Sequence, residues 1–396
     1  MLNPLPTTPV RAAPLGTDEL AAWLRLMETP GVGRLGARRL LSRFGSPQEI
    51  FRATEREWRL AVDGALAAAL TREPEGFAAL LSRTQTWLAA APHRAVLTLG
   101  DAAYPSRLLE LPDPPLVLYA EGSLHWLHAP AIAIVGTRHP TPTGRENARH
   151  FARELSQAGW VIVSGLAAGI DGQAHEGALE GPCGTVAVVG TGLDQVYPRS
   201  HRGLAERITQ AGVILSEYPL GAAPLPAHFP QRNRILAGLG AGTLVVEAAV
   251  QSGSLITARL AAECGREVFA IPGSIHNVQA RGCHALIKQG AKLVETCEDV
   301  LDELRPGRVA QLILSGFDDG AETAQTKSEA ALEEPADPAC DHPVLAALGD
   351  EPTALDTLQL RTGLSASELT VALLDLELTG AIERLPGQIF QRLARV

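Results

Sequence analysis

The chain contains no C-x-x-C pair, no long apolar run and no Walker A sequence. Its five cysteines (Cys183, Cys264, Cys283, Cys297 and Cys340) are scattered and odd in number. That argues against a disulfide framework and points to a reducing compartment. No apolar stretch approaches the ~18 residues of a membrane helix. The N-terminus lacks the charged start and apolar core of a secretion signal. The cytoplasm is therefore the expected location, and no membrane partner is expected. Cys283 and His284 are adjacent, poor geometry for two ligands of one ion, and no third ligand has suitable spacing, so no metal site is expected. There is no G-x-S-x-G elbow, and Ser164 lacks an obvious base, which disfavours a serine hydrolase. No cofactor and no internal repeat at a fixed period are expected.

What is present is length and arginine. The 396 residues, 46% of them hydrophobic, exceed one ordinary core and suggest two or three domains. The net charge of −10 disfavours a nucleic-acid partner at first sight. Eight acids and one lysine lie between Phe317 and Asp341, a local balance of −7 that leaves about −3 for the rest. A basic patch elsewhere is therefore allowed. Of 34 cationic side chains only Lys288, Lys292 and Lys327 are lysines, a bias that genome composition explains.

Residues 1–16 are rich in Pro, Thr and Ala and read as a disordered lead. Residues 17–92 carry helical periodicity (Leu20, Trp23, Leu24 and Met27, then Leu40, Leu41 and Phe44). Between these runs, TPGVGRLGARRLL (29–41) reads either as a helix-hairpin-helix, whose turn offers N–H groups to a DNA phosphate, or as a plain αα-corner. From 95 to 304, short β-rich runs alternate with helical stretches: Val96–Leu99, Ile132–Val135, Val161–Val163, Val186–Val189, Val213–Leu215, Leu244–Val246 and Val268–Ile271. Near-continuous apolar strands imply two covered faces, hence an α/β fold with a Rossmann-like, doubly wound, mostly parallel sheet. The acidic, proline-bearing segment 305–341 reads as a linker. Residues 342–396 regain periodicity (Leu348, Leu358, Leu369, Leu373, Leu376) before TGAIERLPGQIFQRL, a winged-helix pattern.

Several loops at strand ends could meet a ligand. AIAIVGTRHPTPTG (131–144) is a strand, a glycine loop and a helix expected to start near Arg145; Thr137 and Arg138 can donate to phosphate. The loop is not G-x-G-x-x-G, so dinucleotide binding is not favoured. VIVSGLAAGIDGQAH (161–175) brings Ser164, Gly165 and Gly169. Asp171 and His175, four apart, are either an acid/base pair or an N-capping Asp with a packed His; the second reading is preferred. VAVVGTGLDQVYP (186–198) adds Gly190 and Gly192. In HFPQRNRILAGLGAGTLVVEAAVQSGSLITA (228–258), Arg232 and Arg234 open an apolar helix, and Ser252-Gly253-Ser254 precede another. Free amides and a helix dipole make such a place an anion site, and guanidiniums suit phosphate.

With these residues in hand, the chain closely resembles the DNA-processing protein A (DprA, also called Smf) family. The blocks run from Tyr104 to Val294: YPSRLLELPDPPLVLYAEG, IVGTR, VSGLAAGIDGQAHEGAL, GTVAVVGTGLDQVYP, SEYPLG, FPQRNRILAGL, VVEA, SGSLITA and IPG. The resemblance implies a SAM-like helical domain in front and a winged helix behind. It implies binding of single-stranded DNA, of duplex more weakly, dimerisation, and loading of the RecA recombinase onto incoming strands in natural transformation, without catalysis. It places Gly136, Thr137, Arg138, Arg232, Asn233 and Arg234 in the DNA pocket, with Ser164 and Gly165 at its phosphate edge. Phe229 is a candidate for base stacking or a core aromatic. The chain departs from the family pattern at Gly240-Ala241, His284 and His201, which puts individual ligand contacts in doubt.

Two other functions remain to be weighed. GLGAGTLVVEA is similar to the glycine-rich loop of LOG-type nucleoside-monophosphate phosphoribohydrolases, with Glu247 in the place of their Glu. The spacing from Gly242-Thr243 to Glu247 is one residue longer here. A transcription regulator acting through the C-terminal wing is the third reading, although 364–374 offers few cations for a recognition helix.

Overall fold

The computed structural model describes residues 15–304, 343–348, 352–385 and 389–393. They divide into two compact units, the larger ending at Leu304. The acidic segment 305–341 and residues 1–14 of the lead lie outside the described residues.

The larger unit is organised by a nine-stranded sheet. Its strands are β1 (Arg94–Thr98), β2 (Val117–Gly122), β3 (Ala131–Val135), β4 (Val161–Ser164), β5 (Thr185–Val188), β6 (Val213–Ser216), β7 (Gly242–Val245), β8 (Glu267–Ala270) and β9 (Lys292–Leu293), in the order β1-β2-β6-β5-β4-β3-β7-β8-β9. From β6 to β9 every pairing is parallel. Strands β3 to β7 are buried along their whole length, which is why their sequences are apolar runs without alternation. The seven runs seen in the sequence all lie in this sheet.

Two strands escape the sequence pattern. β2 follows Pro114-Pro115 and pairs antiparallel with both β1 and β6. It ends at Gly122, with φ of 125°, where a Cβ would strike the Gly212 carbonyl; only glycine lets those backbones meet. β9 has two residues, too few to show a period.

Strand order reverses between β3 and β7, so the loops leaving their carboxyl ends diverge and open a crevice there. Helices α1 (Thr17–Glu28), α2 (Gly33–Phe44), α3 (Pro47–Arg52), α4 (Glu55–Trp58), α5 (Gly64–Leu70) and α6 (Phe77–Ala90) precede the sheet, and those that flank the crevice are α7 (Pro142–Gln157), α8 (Ile170–Ala178), α9 (Arg202–Ala211), α10 (His228–Leu239) and α11 (Ser254–Glu263). α7 begins at Pro142 and not near Arg145. Proline is well suited to a first helical position, where its missing N–H costs nothing.

The N-terminal helices do not form a core of their own. Leu20, Trp23, Leu24, Leu80 and Trp87 share one apolar cluster with Val117 and Tyr119 of β2 and with Leu220. The 29–41 hairpin joins helices Thr17–Glu28 and Gly33–Phe44, and it turns two cations toward the sheet. Arg34 Nε lies 3.0 Å from Asp113 Oδ2, and Arg38 donates to the Pro112 carbonyl.

The smaller unit has helices Pro343–Leu348, Leu355–Thr362 and Ala366–Leu378 and a three-stranded antiparallel sheet, the winged-helix arrangement. Val344, Leu348, Leu358, Leu369, Leu373, Leu376, Ile382 and Phe390 form its core. Its third helix carries no Lys or Arg and exposes Val371 and Leu374.

Candidate nucleic-acid interface

Between the β3 loop, α10 and the start of α11 lies a cavity of about 430 Å3. Its lining includes Gly136, Thr137, Arg138, Phe229, Arg232, Asn233 and Ser252 to Ser254. A second cavity, of about 90 Å3, is lined by Gly165 and shares Arg138, Ala167 and Phe229 with the first. Ten of the sequence-expected site residues thus meet at the switch point. Ser164 and Arg234 do not line either cavity.

The β3 loop is stitched down on both sides. Thr137 N donates to the Glu247 carbonyl at 2.7 Å, and Ile170 N donates to the Thr137 carbonyl at 3.2 Å. A Cβ on Gly136 would stand 2.6 Å from Ile170 Cγ1, so the loop lies this close only because position 136 is glycine. At α11, Ser252 Oγ is 2.7 Å from Ser254 Oγ, and Asn233 Nδ2 donates to the Gly253 carbonyl at 3.3 Å. These groups frame the positive end of a ten-residue helix.

The three site arginines have different jobs. Arg232 is 4% exposed. Its Nη1 donates to the Gly165 carbonyl at 2.6 Å and to the Val188 carbonyl, its Nε donates to Asn233 Oδ1 at 3.1 Å, and its Nη2 lies 3.8 Å from Asp171 Oδ2. It ties together the ends of β4 and β5. Arg234 faces away, bonded to Glu217 Oε2 at 2.6 Å and Asp113 Oδ2 at 3.0 Å. Arg138 is exposed and makes no hydrogen bond or ion pair among the described residues. Its guanidinium sits 5.4 Å over the Phe229 ring, within cation–π range.

Phe229 is half-buried at the rim and not a core aromatic. Its helix start is pinned: His228 Nδ1 is 3.0 Å from the Gly190 carbonyl, and Tyr218 stacks on His228 with ring centroids 3.9 Å apart. A Cβ on Gly190 would stand 3.3 Å from Phe229 Cδ1, a tight fit that glycine avoids.

The Asp171/His175 pair is structural. Asp171 Oδ2 accepts from Gly165 N at 3.1 Å and Ala167 N at 3.4 Å. It therefore fastens the loop before α8 and does not cap the helix, whose N-cap is Gly169. Burial pushes its carboxyl above the usual range, opposed by the Arg232 guanidinium and those two amides. His175 is fully buried, with Nδ1 2.8 Å from Thr185 Oγ1. Burial, with His201 and Arg232 nearby, pushes it down to about 3. Ser164 Oγ donates to the Ile134 carbonyl at 2.7 Å, inside the sheet. Glu247 is buried where a Cβ on Gly144 would strike its carboxylate, against the first turn of α7 and outside the cavity lining. Of the departures from the pattern of the family that the sequence resembles, His201 Nδ1 is 3.1 Å from the Leu166 carbonyl and His284 Nε2 is 2.9 Å from the Gly273 carbonyl; neither lines either of these two cavities.

Sequence reasoning passed over Tyr197, Thr257 and Gln279, which also line the two cavities. Only the Tyr-Pro dipeptide hinted at the first.

Comparison with known proteins bears on the family and the fold. A family model described as DNA recombination-mediator protein A matches residues 95–305, and one described as DprA winged helix domain matches 328–388. Protein Smf of Escherichia coli is 42% identical over 300 residues, covering 75% of this chain and 77% of that protein. DNA processing protein DprA of Streptococcus pneumoniae is 48% identical over 203 residues, 51% and 72% of the two chains. The X-ray structure of DprA from Streptococcus pneumoniae superposes with a TM-score of 0.63 at 35% identity, over 74% of this chain and 99% of that one.

Proposed function

The chain belongs to the DNA recombination-mediator protein A family, and from that premise we propose that it binds single-stranded DNA in the crevice between β3 and β7. The observation that carries this reading is Arg138. It is an exposed guanidinium without an ionic partner among the described residues, set over an aromatic ring at the mouth of a cavity walled by a helix N-terminus. Cation, ring and amides suit a sugar-phosphate track read without sequence. Duplex, with its bases stacked inside, offers less to such a site and binds more weakly.

Filter binding at two salt levels tests it. The affinity for an oligonucleotide should fall with salt at a slope of roughly −0.7 per phosphate neutralised, and the duplex of the same sequence should bind less well. Equal binding of both, or no dependence on salt, overturns the reading.

The protein acts without breaking bonds in the strand. The placement of Glu247 supports this, because its carboxylate packs on α7 outside the cavity lining, and the carboxylate that does line the cavity, Asp171, is held by Gly165 N, Ala167 N and the Arg232 guanidinium. Free adenine released from adenosine monophosphate would contradict it. By family membership the bound strand is handed to RecA during natural transformation, and the four cysteines among the described residues, all unpaired, support a cytoplasmic location. RecA filament growth on a strand bound by the protein is the measurement for the first of these; no acceleration rejects it.

A homodimer completes the proposal. Val250, Ile256, Ile275 and Val278 are large, apolar and exposed on neighbouring segments around α11 and β8, a composition that suits a buried interface. Light scattering should give twice the 41.8 kDa chain mass; a monomer at micromolar concentration would refute it.

A further inference from the structure

Among the described residues, the proposed binding mode leaves one exposed aromatic unused. Tyr197 lies in the loop between β5 and α9, away from the phosphate loops of β3 and β7. The residue is 44% exposed, and its hydroxyl has no hydrogen-bond partner among the described residues. The contrast with Tyr218 is informative. That ring is half-buried, stacked on His228, and its hydroxyl donates to the His228 carbonyl at 3.2 Å. Tyr218 holds α10 in place; Tyr197 holds nothing comparable.

Its position is specific nonetheless. The Tyr197 ring centroid is 5.5 Å from that of Phe229, with the planes 43° apart. Between the two rings and the sheet lies the smaller cavity, whose other walls include Ala167, Ala168, Val189, Thr191 and Pro198. Beside Arg138 and Thr191, whose hydroxyl donates to the Gln195 carbonyl at 3.0 Å, the walls are apolar side chains and backbone, with no carboxylate. The next cation along the loop, Arg199, is exposed and has no ionic partner among the described residues, whereas Arg202 is engaged by Glu206 at 3.3 Å. Cation, ring, ring and cation thus follow one another from Arg138 through Phe229 and Tyr197 to Arg199.

We propose that Tyr197 is a second base-stacking surface and Arg199 the phosphate contact beyond it. A single strand then leaves the main cavity across Phe229 and Tyr197 toward the start of α9. This rests on the reading of the crevice as a single-strand site. It adds a direction for the strand and two contacts that the phosphate-loop argument does not contain. Neighbouring aromatic faces flanked by cations suit sequence-tolerant strand binding, since every base has a π-face and the backbone is anionic.

Four variants of the full chain, titrated with a dT20 oligonucleotide, test it. Tyr197→Ala should weaken binding about tenfold with the salt slope unchanged, because stacking is not ionic. Tyr197→Phe should restore affinity to within about twofold, since the ring is kept. Arg199→Ala should lower the salt slope by about 0.7. Arg138→Ala is the control for the crevice itself. If Arg138→Ala loses binding while the Tyr197 and Arg199 variants match wild type, the strand runs elsewhere and the proposal fails with the crevice reading intact. If Arg138→Ala also binds normally, the crevice reading fails first. Equal losses in Tyr197→Ala and Tyr197→Phe would reject stacking. Photocrosslinking of unmodified protein to 5-iododeoxyuridine oligonucleotides needs no variant to fold. A crosslink in the peptide that carries Tyr197 supports the path, and crosslinks confined to other peptides overturn it.

Discussion

Arg232→Ala is expected to destabilise the protein by about 3–5 kcal/mol, and to do so before any question of DNA arises. The guanidinium is almost fully buried and serves four partners at once: the Gly165 and Val188 carbonyls, Asn233 Oδ1 and the Asp171 carboxylate. Alanine leaves an uncompensated buried carboxylate and two carbonyls without their donor, and each such loss costs more than the bond itself was worth. Chemical denaturation of wild type and variant measures the loss. The pH dependence identifies its source. Asp171 already has a carboxyl raised by burial, and removing Arg232 raises it further. A carboxyl raised in the folded state favours folding where it is protonated, and that contribution disappears as pH rises through its folded value. The deficit of Arg232→Ala should therefore be smaller at about pH 5 than at about pH 8, and Asp171→Asn in the same background should recover part of it. A variant that melts with wild type at both pH values would show that Arg232 is not the tie it resembles. Weak DNA binding by Arg232→Ala on its own says nothing about a phosphate contact.

That distinction was partly legible in the chain. Arg232 and Arg234 are two residues apart on a helix, and such positions do not share a face. Spacing alone therefore forbids both from reaching one ligand, although it does not say which one turns away. The partners that claim them, Asp113, Asp171 and Glu217, lie 17 to 121 residues distant, and no local pattern links them. The sheet was easier to read. AIAIV, VIVS, TVAV and VILS are buried on both faces, and burial of that kind writes itself as an unbroken apolar run. β2 was hidden by its antiparallel pairing and by the prolines before it. Ser164 looked available because it follows a strand, but as the last residue of β4 its hydroxyl turns into the sheet toward Ile134. The four-residue spacing of Asp171 and His175 suggests an acid/base pair or an N-capping Asp with a packed His; the His is packed, but Asp171 holds loop amides that no local pattern links to it and is not the cap. Tyr197 had no periodicity to announce it. Its role depends on a neighbour, Phe229, that comes from a different βα unit.

Arg138→Ala is expected to be the opposite of Arg232→Ala: full stability and a ten- to hundredfold loss of single-strand affinity, the equivalent of about 1.5–3 kcal/mol for hydrogen bonds to a charged group. The side chain is exposed and supports no other group through a hydrogen bond or ion pair among the described residues, so its removal leaves nothing unsatisfied. What disappears is the fork that meets a phosphate and the cation held over Phe229. The loss should be equal for oligo-dT and oligo-dC, because a phosphate contact carries no base information. It should shrink as salt rises, with a slope reduced by roughly 0.7 when one phosphate is no longer neutralised. Arg138→Lys separates charge from shape. It keeps the cation but not the planar fork, so it should retain the salt slope and recover only part of the affinity. Isotherms for the three proteins, with melting curves to exclude unfolding, decide the matter. Wild-type affinity in Arg138→Ala at low salt would remove from the mechanism the cavity-lining arginine that is unengaged among the described residues. It would also move the strand off the crevice, because Arg232 and Arg234 are already committed to the fold and cannot take its place.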